Sequence, residues 1–150
     1  MRLEPEERKG ENMPTRKTSI LIGLAAIVLG VSASLVAQNQ KKEQKIFEGS
    51  LPNAPGQTLT AEVVDFPPGY KSEVHHHAGS VFAYVLRGKI RSQNSATGPA
   101  RIYSQGETFF EPPGSDHLVT ENPSSTEPAS LLAIHIAAHG ATLTRTGRAK

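Results

Sequence analysis

The stretch GYKSEVHHHAGSVFAYVLRG, residues 69–88, decides how this chain is read. It sets three consecutive histidines, His75, His76 and His77, between Gly69 and Gly88, and leads into the β-prone run Val81–Gln93. On an extended strand, side chains alternate between faces, so His75 and His77 share one face and His76 takes the other. Residues two apart lie roughly 6.5–7 Å from each other along a strand, so both imidazoles can reach one ion. A second stretch, GETFFEPPGSDHLVTEN, residues 106–122, adds His117 just after a Pro-Pro-Gly turn. A nitrogen from there would complete a facial set suited to a transition metal and unsuited to Mg or Ca.

Outward from these stretches, the chain reads as short strands. Leu59–Phe66, Lys71–His77, Val81–Gln93, Arg101–Ser104, Glu107–Glu111, Leu118–Thr120 and Ser130–Ala138 are β-prone, and turn residues separate them. Gly88 breaks the longest run at a bend or bulge. No sustained helical period appears from Ile46 onward. With 13 Gly and 11 Pro in 150 residues, the composition fits an all-β sandwich or barrel and not a helical bundle. The chain has no cysteine, which excludes disulfides, Cys-ligated zinc, iron–sulfur clusters and a thiol nucleophile. The net charge is only +2 and no basic patch with interleaved aromatics is present, which argues against a nucleic-acid partner.

The N-terminus reads differently. A charged stretch with Arg16 and Lys17 at its end precedes Ile20–Ala37, 18 residues without a charge. That length falls at the short end of the ~17–25 residues that span a bilayer. Two readings stay open. The run is a secretory signal, cleaved after Ala33 or Ala37, or it is an uncleaved helix that anchors the chain through residues 20–37. Basic residues flank both sides, so charge orients an anchor only weakly, N-terminus inside. A start at Met13 would give an ordinary signal layout, MPTRK before the apolar run. Either way the folded part is expected outside the cytoplasm, periplasmic or secreted, or held at the membrane. The expected division is residues 1–37 as signal or anchor, 38–45 as a polar linker, 46–140 as the folded domain and 141–150 as a loose polar tail.

The two histidine stretches resemble the paired motifs of the cupin superfamily, in its small single-domain form. The first family motif, G(X)5HXH(X)3–4E(X)6G, aligns with Gly69, His75, His77, Val81 and Gly88. The second, G(X)5PXG(X)2H(X)3N, aligns with Gly106, Pro112, Gly114, His117 and Glu121. Gly69 and Gly114 then sit in turns that require positive φ. The resemblance implies an antiparallel cupin-type β-barrel, a double-stranded β-helix of two short sheets, with a metal at one mouth. It implies one divalent transition metal ion, Fe, Zn, Mn, Ni or Cu, held by His75, His77 and His117. Two departures stand out. The acidic ligand position holds Val81, which cannot coordinate, and the closing Asn position holds Glu121, with Asn122 one step late. Two carboxylates are candidates for the missing role, as a fourth ligand or as a group that orients an imidazole. Glu73 shares the strand face of His75 and His77, and Glu111 precedes the prolines. Phe82, Tyr84, Phe109 and Phe110 are expected to fill the core or line the cavity. His135, on the last strand, is a weaker candidate for an inward position.

The resemblance implies three classes of function. One is an enzyme that oxidises a small organic molecule with O2, or isomerises it. Another is a non-catalytic module that binds a small ligand or the metal itself, and the third is an inert barrel. Domains of this size in the superfamily often pair through sheet edges, which implies a homodimer.

Overall fold

A computed structural model describes residues 40–149. The expected signal or anchor over residues 1–37 lies outside them. Ten strands form the fold: β1 (Lys42–Ser50), β2 (Gln57–Phe66), β3 (His75–His77), β4 (Ser80–Arg87), β5 (Lys89–Asn94), β6 (Arg101–Ser104), β7 (Thr108–Glu111), β8 (Asp116–Glu121), β9 (Ala129–Ala138) and β10 (Thr144–Thr146). They make two antiparallel five-stranded sheets, ordered β1-β2-β9-β4-β7 and β10-β3-β8-β5-β6. No helix occurs among the described residues. The all-β expectation therefore holds for the described part of the chain.

Alternation explains which faces meet. On β4, Val81, Ala83 and Val85 are buried, and Phe82, Tyr84 and Leu86 are exposed. On β9, Ala129, Leu131, Ala133, His135 and Ala137 are buried in the same two-residue phase. Of these, Val81, Ala83, Val85, Ala129, Leu131 and Ala133 form the core together with Val64, Phe66, Ile90 and Phe109. This corrects the expectation for the aromatics. Only Phe109 turns inward, while Phe82, Tyr84 and Phe110 stand on the outward face. The cause is register: Phe82 pairs with Phe110 and Ala83 pairs with Phe109, so one aromatic couple faces out and its neighbour faces in.

Gly88 is where the chain changes sheets, leaving β4 for β5. Its φ is +70°, and a Cβ there would come within 2.8 Å of the Pro128 carbonyl oxygen. Only glycine combines that backbone angle with that approach. Asn122 joins the strand exits. It is 2% exposed, and its Nδ2 donates to the carbonyls of Phe66, Pro67 and Glu127 at 3.4, 3.2 and 2.8 Å. Its Oδ1 accepts the Ser124 N–H at 3.0 Å.

The domain is longer than expected at both ends. The stretch read as a linker, residues 38–45, enters strand at Lys42, where Lys42–Lys45 pair with Glu62–Asp65 of β2. The tail read as loose forms β10, which pairs Thr144, Arg145 and Thr146 with His77, His76 and His75. Both are edge strands of polar sequence. Backbone pairing to a neighbour makes them, and no hydrophobic period announces them. The strand expected over Lys71–His77 is shorter, since only His75–His77 pair as β3 and Lys71 makes a single bridge to Glu121.

A candidate metal centre

Strand pairing builds the site. β3 presents His75 and His77 inward, and β8 lies antiparallel to it with His117 directly opposite His75. The candidate ligand nitrogens of His75, His77 and His117 all lie within 4.8 Å of one another. His76 points the other way, as alternation requires, and its Nδ1 meets the Gly147 carbonyl at 3.1 Å.

Each of the three rings is held through one nitrogen. His75 Nδ1 donates to the Glu73 carbonyl at 2.8 Å, His77 Nδ1 meets Thr144 Oγ1 at 3.1 Å, and His117 Nε2 meets Ser92 Oγ at 2.8 Å. That leaves Nε2 of His75, Nε2 of His77 and Nδ1 of His117 for an ion. Orienting a ligand imidazole through its second nitrogen is the usual support for a metal site.

Glu111 joins the group from β7. It is 3% exposed, with Oε2 3.0 Å from His117 Nδ1 and 3.7 Å from His77 Nε2. Asn94 Nδ2 donates to the same oxygen at 3.4 Å. The contact with His117 is short but lies off the hydrogen-bonding direction, so His117 Nδ1 is buried without a hydrogen-bond partner. Among the described residues, no Lys or Arg reaches the Glu111 carboxylate, and its ion-pair contacts are His77 and His117 alone. A buried carboxylate without a fixed cation and an orphaned imidazole nitrogen are costly as they stand. A divalent transition metal would satisfy both, and the donor set fits one.

Register explains the departure at Val81. On β4, Val81 is paired with Glu111 on one side and His135 on the other, all on the inward face. The carboxylate absent from Val81 therefore stands one strand over. Glu73 does not take that role. It precedes β3, where alternation no longer applies, and its exposed side chain lies outside the cavity that His75, His77 and Glu111 line. Only its carbonyl serves the site.

The cavity is about 50 Å3, with walls that include Val64, Phe66, Val81, Phe109, Leu131 and Ala133. A shallow groove of about 410 Å3 adjoins it and shares Lys41, Ser72, His75 and Thr144. His135 and Glu62 also line the cavity and were not assigned to the site from sequence. His135 is 4% exposed, its ring lies 5.2 Å from that of His77, and its Nε2 is 3.5 Å from Glu62 Oε2. The signal was present in the last strand, where His135 is in phase with Leu131 and Ala133.

Burial sets the charge state. It pushes His77 down to about 4, against the pull of Glu111, and it also lowers His75 and His135. His75, His77 and His135 are therefore neutral at neutral pH, with lone pairs available. Burial alone would raise the Glu111 carboxyl, but the contact with His117 outweighs burial and holds it below the usual range.

Two short sheets around a cluster of three histidines and one carboxylate, which could hold a metal ion, define a double-stranded β-helix. The sequence comparison agrees: residues 62–135 match the family described as Cupin domain. Solved structures share the fold. A protein of Thermus thermophilus is 23% identical, with a TM-score of 0.51 over 66% of this chain and 84% of its own. A cupin-like protein of Thermotoga maritima is 20% identical, with a TM-score of 0.54 over 73% of this chain and 77% of its own. A chain from crystal structures of DMSP lyases is also 20% identical, with a TM-score of 0.53 over 73% of this chain and 54% of its own. At these identities the likeness is one of fold. No curated protein matches the sequence.

Replacing His75, His77 or His117 by Ala is expected to leave the protein metal-free at stoichiometric metal, while His76→Ala stays loaded. Glu111→Gln should weaken binding roughly 10–100-fold. Val81→Glu added to that variant should restore affinity, because the two positions are cross-strand neighbours. Titration with Zn2+ or Co2+ measures all of these variants, and equal affinities throughout would refute the assignment.

The metal-free protein should lose stability in acid. Unfolded histidine takes up a proton near pH 6.5, whereas folded His77 does so only near 4. Between those values the unfolded state binds more protons, so stability falls as pH drops from about 6.5 towards 4. His75 and His135 act with the same sign. His77 alone contributes on the order of 3 kcal/mol across that window, at about 1.4 kcal/mol per pK unit. Urea midpoints measured through it should decline, and a flat profile would contradict buried neutral imidazoles.

Proposed function

We propose that this domain is a metal-dependent enzyme acting on a small organic molecule, an O2-dependent oxygenase or an isomerase. The observation that carries this reading is the convergence of three imidazoles and one buried carboxylate on a cavity whose other walls are part apolar and part polar. In it, His75, His77 and His117 hold a divalent ion, and Glu111 either completes the set or orients His117. Three histidine ligands leave positions open for small molecules. The ion, when bound, would supply Lewis-acid or redox chemistry at those positions. The apolar part of the wall takes the hydrocarbon part of a substrate, the polar part takes its polar groups, and the adjoining groove is its way in. At about 50 Å3 the cavity suits a molecule of a few heavy atoms and not a nucleotide or a sugar chain.

A DMSP lyase among the fold neighbours is an enzyme, which supports catalysis as a use of the fold and says nothing of this substrate. The deciding experiment is metal analysis of protein purified without a histidine tag, followed by oxygen uptake and product analysis with small-molecule candidates. Bound metal with turnover is the expected result. Bound metal and ligand without turnover would instead assign the alternative, a non-catalytic binding module.

The apolar run Ile20–Ala37 supports a place outside the cytoplasm, secreted after cleavage or anchored at the membrane. N-terminal sequencing of protein from the exported fraction separates the two, with a new terminus at Ser34 or Gln38 expected on cleavage. Recovery of the whole chain from the cytoplasm would overturn export.

A further inference from the structure

The C-terminal strand lies beyond the residues that match the family, which end at 135, yet it touches the metal centre. It is fastened to β3 on both sides. Ala78 donates its N–H to the Leu143 carbonyl at 3.0 Å, and Gly147 donates to the Val74 carbonyl at 2.8 Å. Further on, the Ala149 N–H reaches Asp116 Oδ1 at 2.6 Å, which ties the end of the tail to β8. These bonds hold Thr144 in register with His77.

The three candidate ligands differ in what holds them. His75 is held by a backbone carbonyl two residues away, and His117 by a buried serine, Ser92, within the matched region. The ring of His77 has one hydrogen-bond partner among the described residues, Thr144 Oγ1. Thr144 also lines the cavity. A neutral imidazole has two tautomers, and its ligating nitrogen must be the one without a proton. A partner that takes the Nδ1 proton leaves the Nε2 lone pair for the ion.

We propose that Thr144 is a positioning residue of the metal centre: its hydroxyl accepts the His77 Nδ1–H and so aims Nε2 towards Glu111 and the other two imidazoles. The proposal rests on the metal-site reading above. The tail is thus a working part of the site, supplied by a segment with no metal-binding motif of its own.

The test compares Thr144→Val with Thr144→Ser in the full chain in detergent micelles. Valine keeps the β-branched shape and the strand pairing but removes the hydroxyl, and serine keeps the hydroxyl. Thr144→Val should bind Zn2+ or Co2+ roughly 10–100-fold more weakly, the usual loss when a group orienting a ligand is removed. Thr144→Ser should bind like the wild type. Long-range 1H–15N imidazole spectra of the metal-free protein supply a second readout. Wild-type His77 should show a single tautomer protonated at Nδ1, and Thr144→Val a mixture. Circular dichroism checks that each variant folds, and Thr144→Ala replaces Thr144→Val if that variant does not. Equal affinity of the Val and Ser variants, or mixed tautomers in the wild type, overturns the proposal. If the wild type binds neither ion, the metal reading fails, and the tautomer spectra still decide the role of Thr144.

Discussion

The pairing of β3 with β8, which sets His75 directly across from His117, is the constraint on which the rest of the site depends. Alternation along β3 then adds His77 on the same face. A slip of one residue would turn both β3 imidazoles outward and bring His76 in. The surrounding structure secures this register. β10 covers the other edge of β3, and the sharp return at Gly88 carries the chain from one sheet into the other.

Burial gives this geometry its chemical meaning. In water the same histidines would take up protons in mild acid. Packed between two sheets, His75 and His77 are harder to protonate, and burial pushes His77 down to about 4. Glu111 is buried beside them with no lysine or arginine in ion-pair contact among the described residues. A set of imidazole nitrogens around a buried carboxylate has the donor types that a divalent transition metal requires. Glu111 is 3% exposed, so little water reaches its carboxylate and a bound cation would take the place of that solvation.

Carboxylate placement shows how a sheet can keep a chemical group at one point while moving it along the chain. Val81 stands where the family motif carries an acid, and its cross-strand neighbours are Glu111 and His135. Side chains directly opposite in an antiparallel pair have Cβ atoms about 4.5–5.5 Å apart, so an acid moved across one strand can still face the same point. Glu73 looked equally suitable by spacing, two residues before His75. It fails because the strand begins only at His75, and the face shared by residues two apart ends with the strand.

Much of the centre could be read from sequence because its determinants are local. The face shared by His75 and His77 follows from strand alternation, and the turns at Gly69 and Gly114 follow from their backbone freedom, with φ of 70° and 73°. The strands from Gln57 to Ala138 were legible wherever apolar residues alternate or cluster. What tertiary structure alone decided is which strands lie side by side. That choice brought Glu111 and His135 to flank Val81, sent Phe82 and Phe110 out together, and drew the polar segments at Lys42 and Thr144 into the sheets. Cross-strand hydrogen bonds are made by backbone groups that every residue carries, so a polar edge strand leaves no mark in its own sequence. Its partner, far away along the chain, determines it.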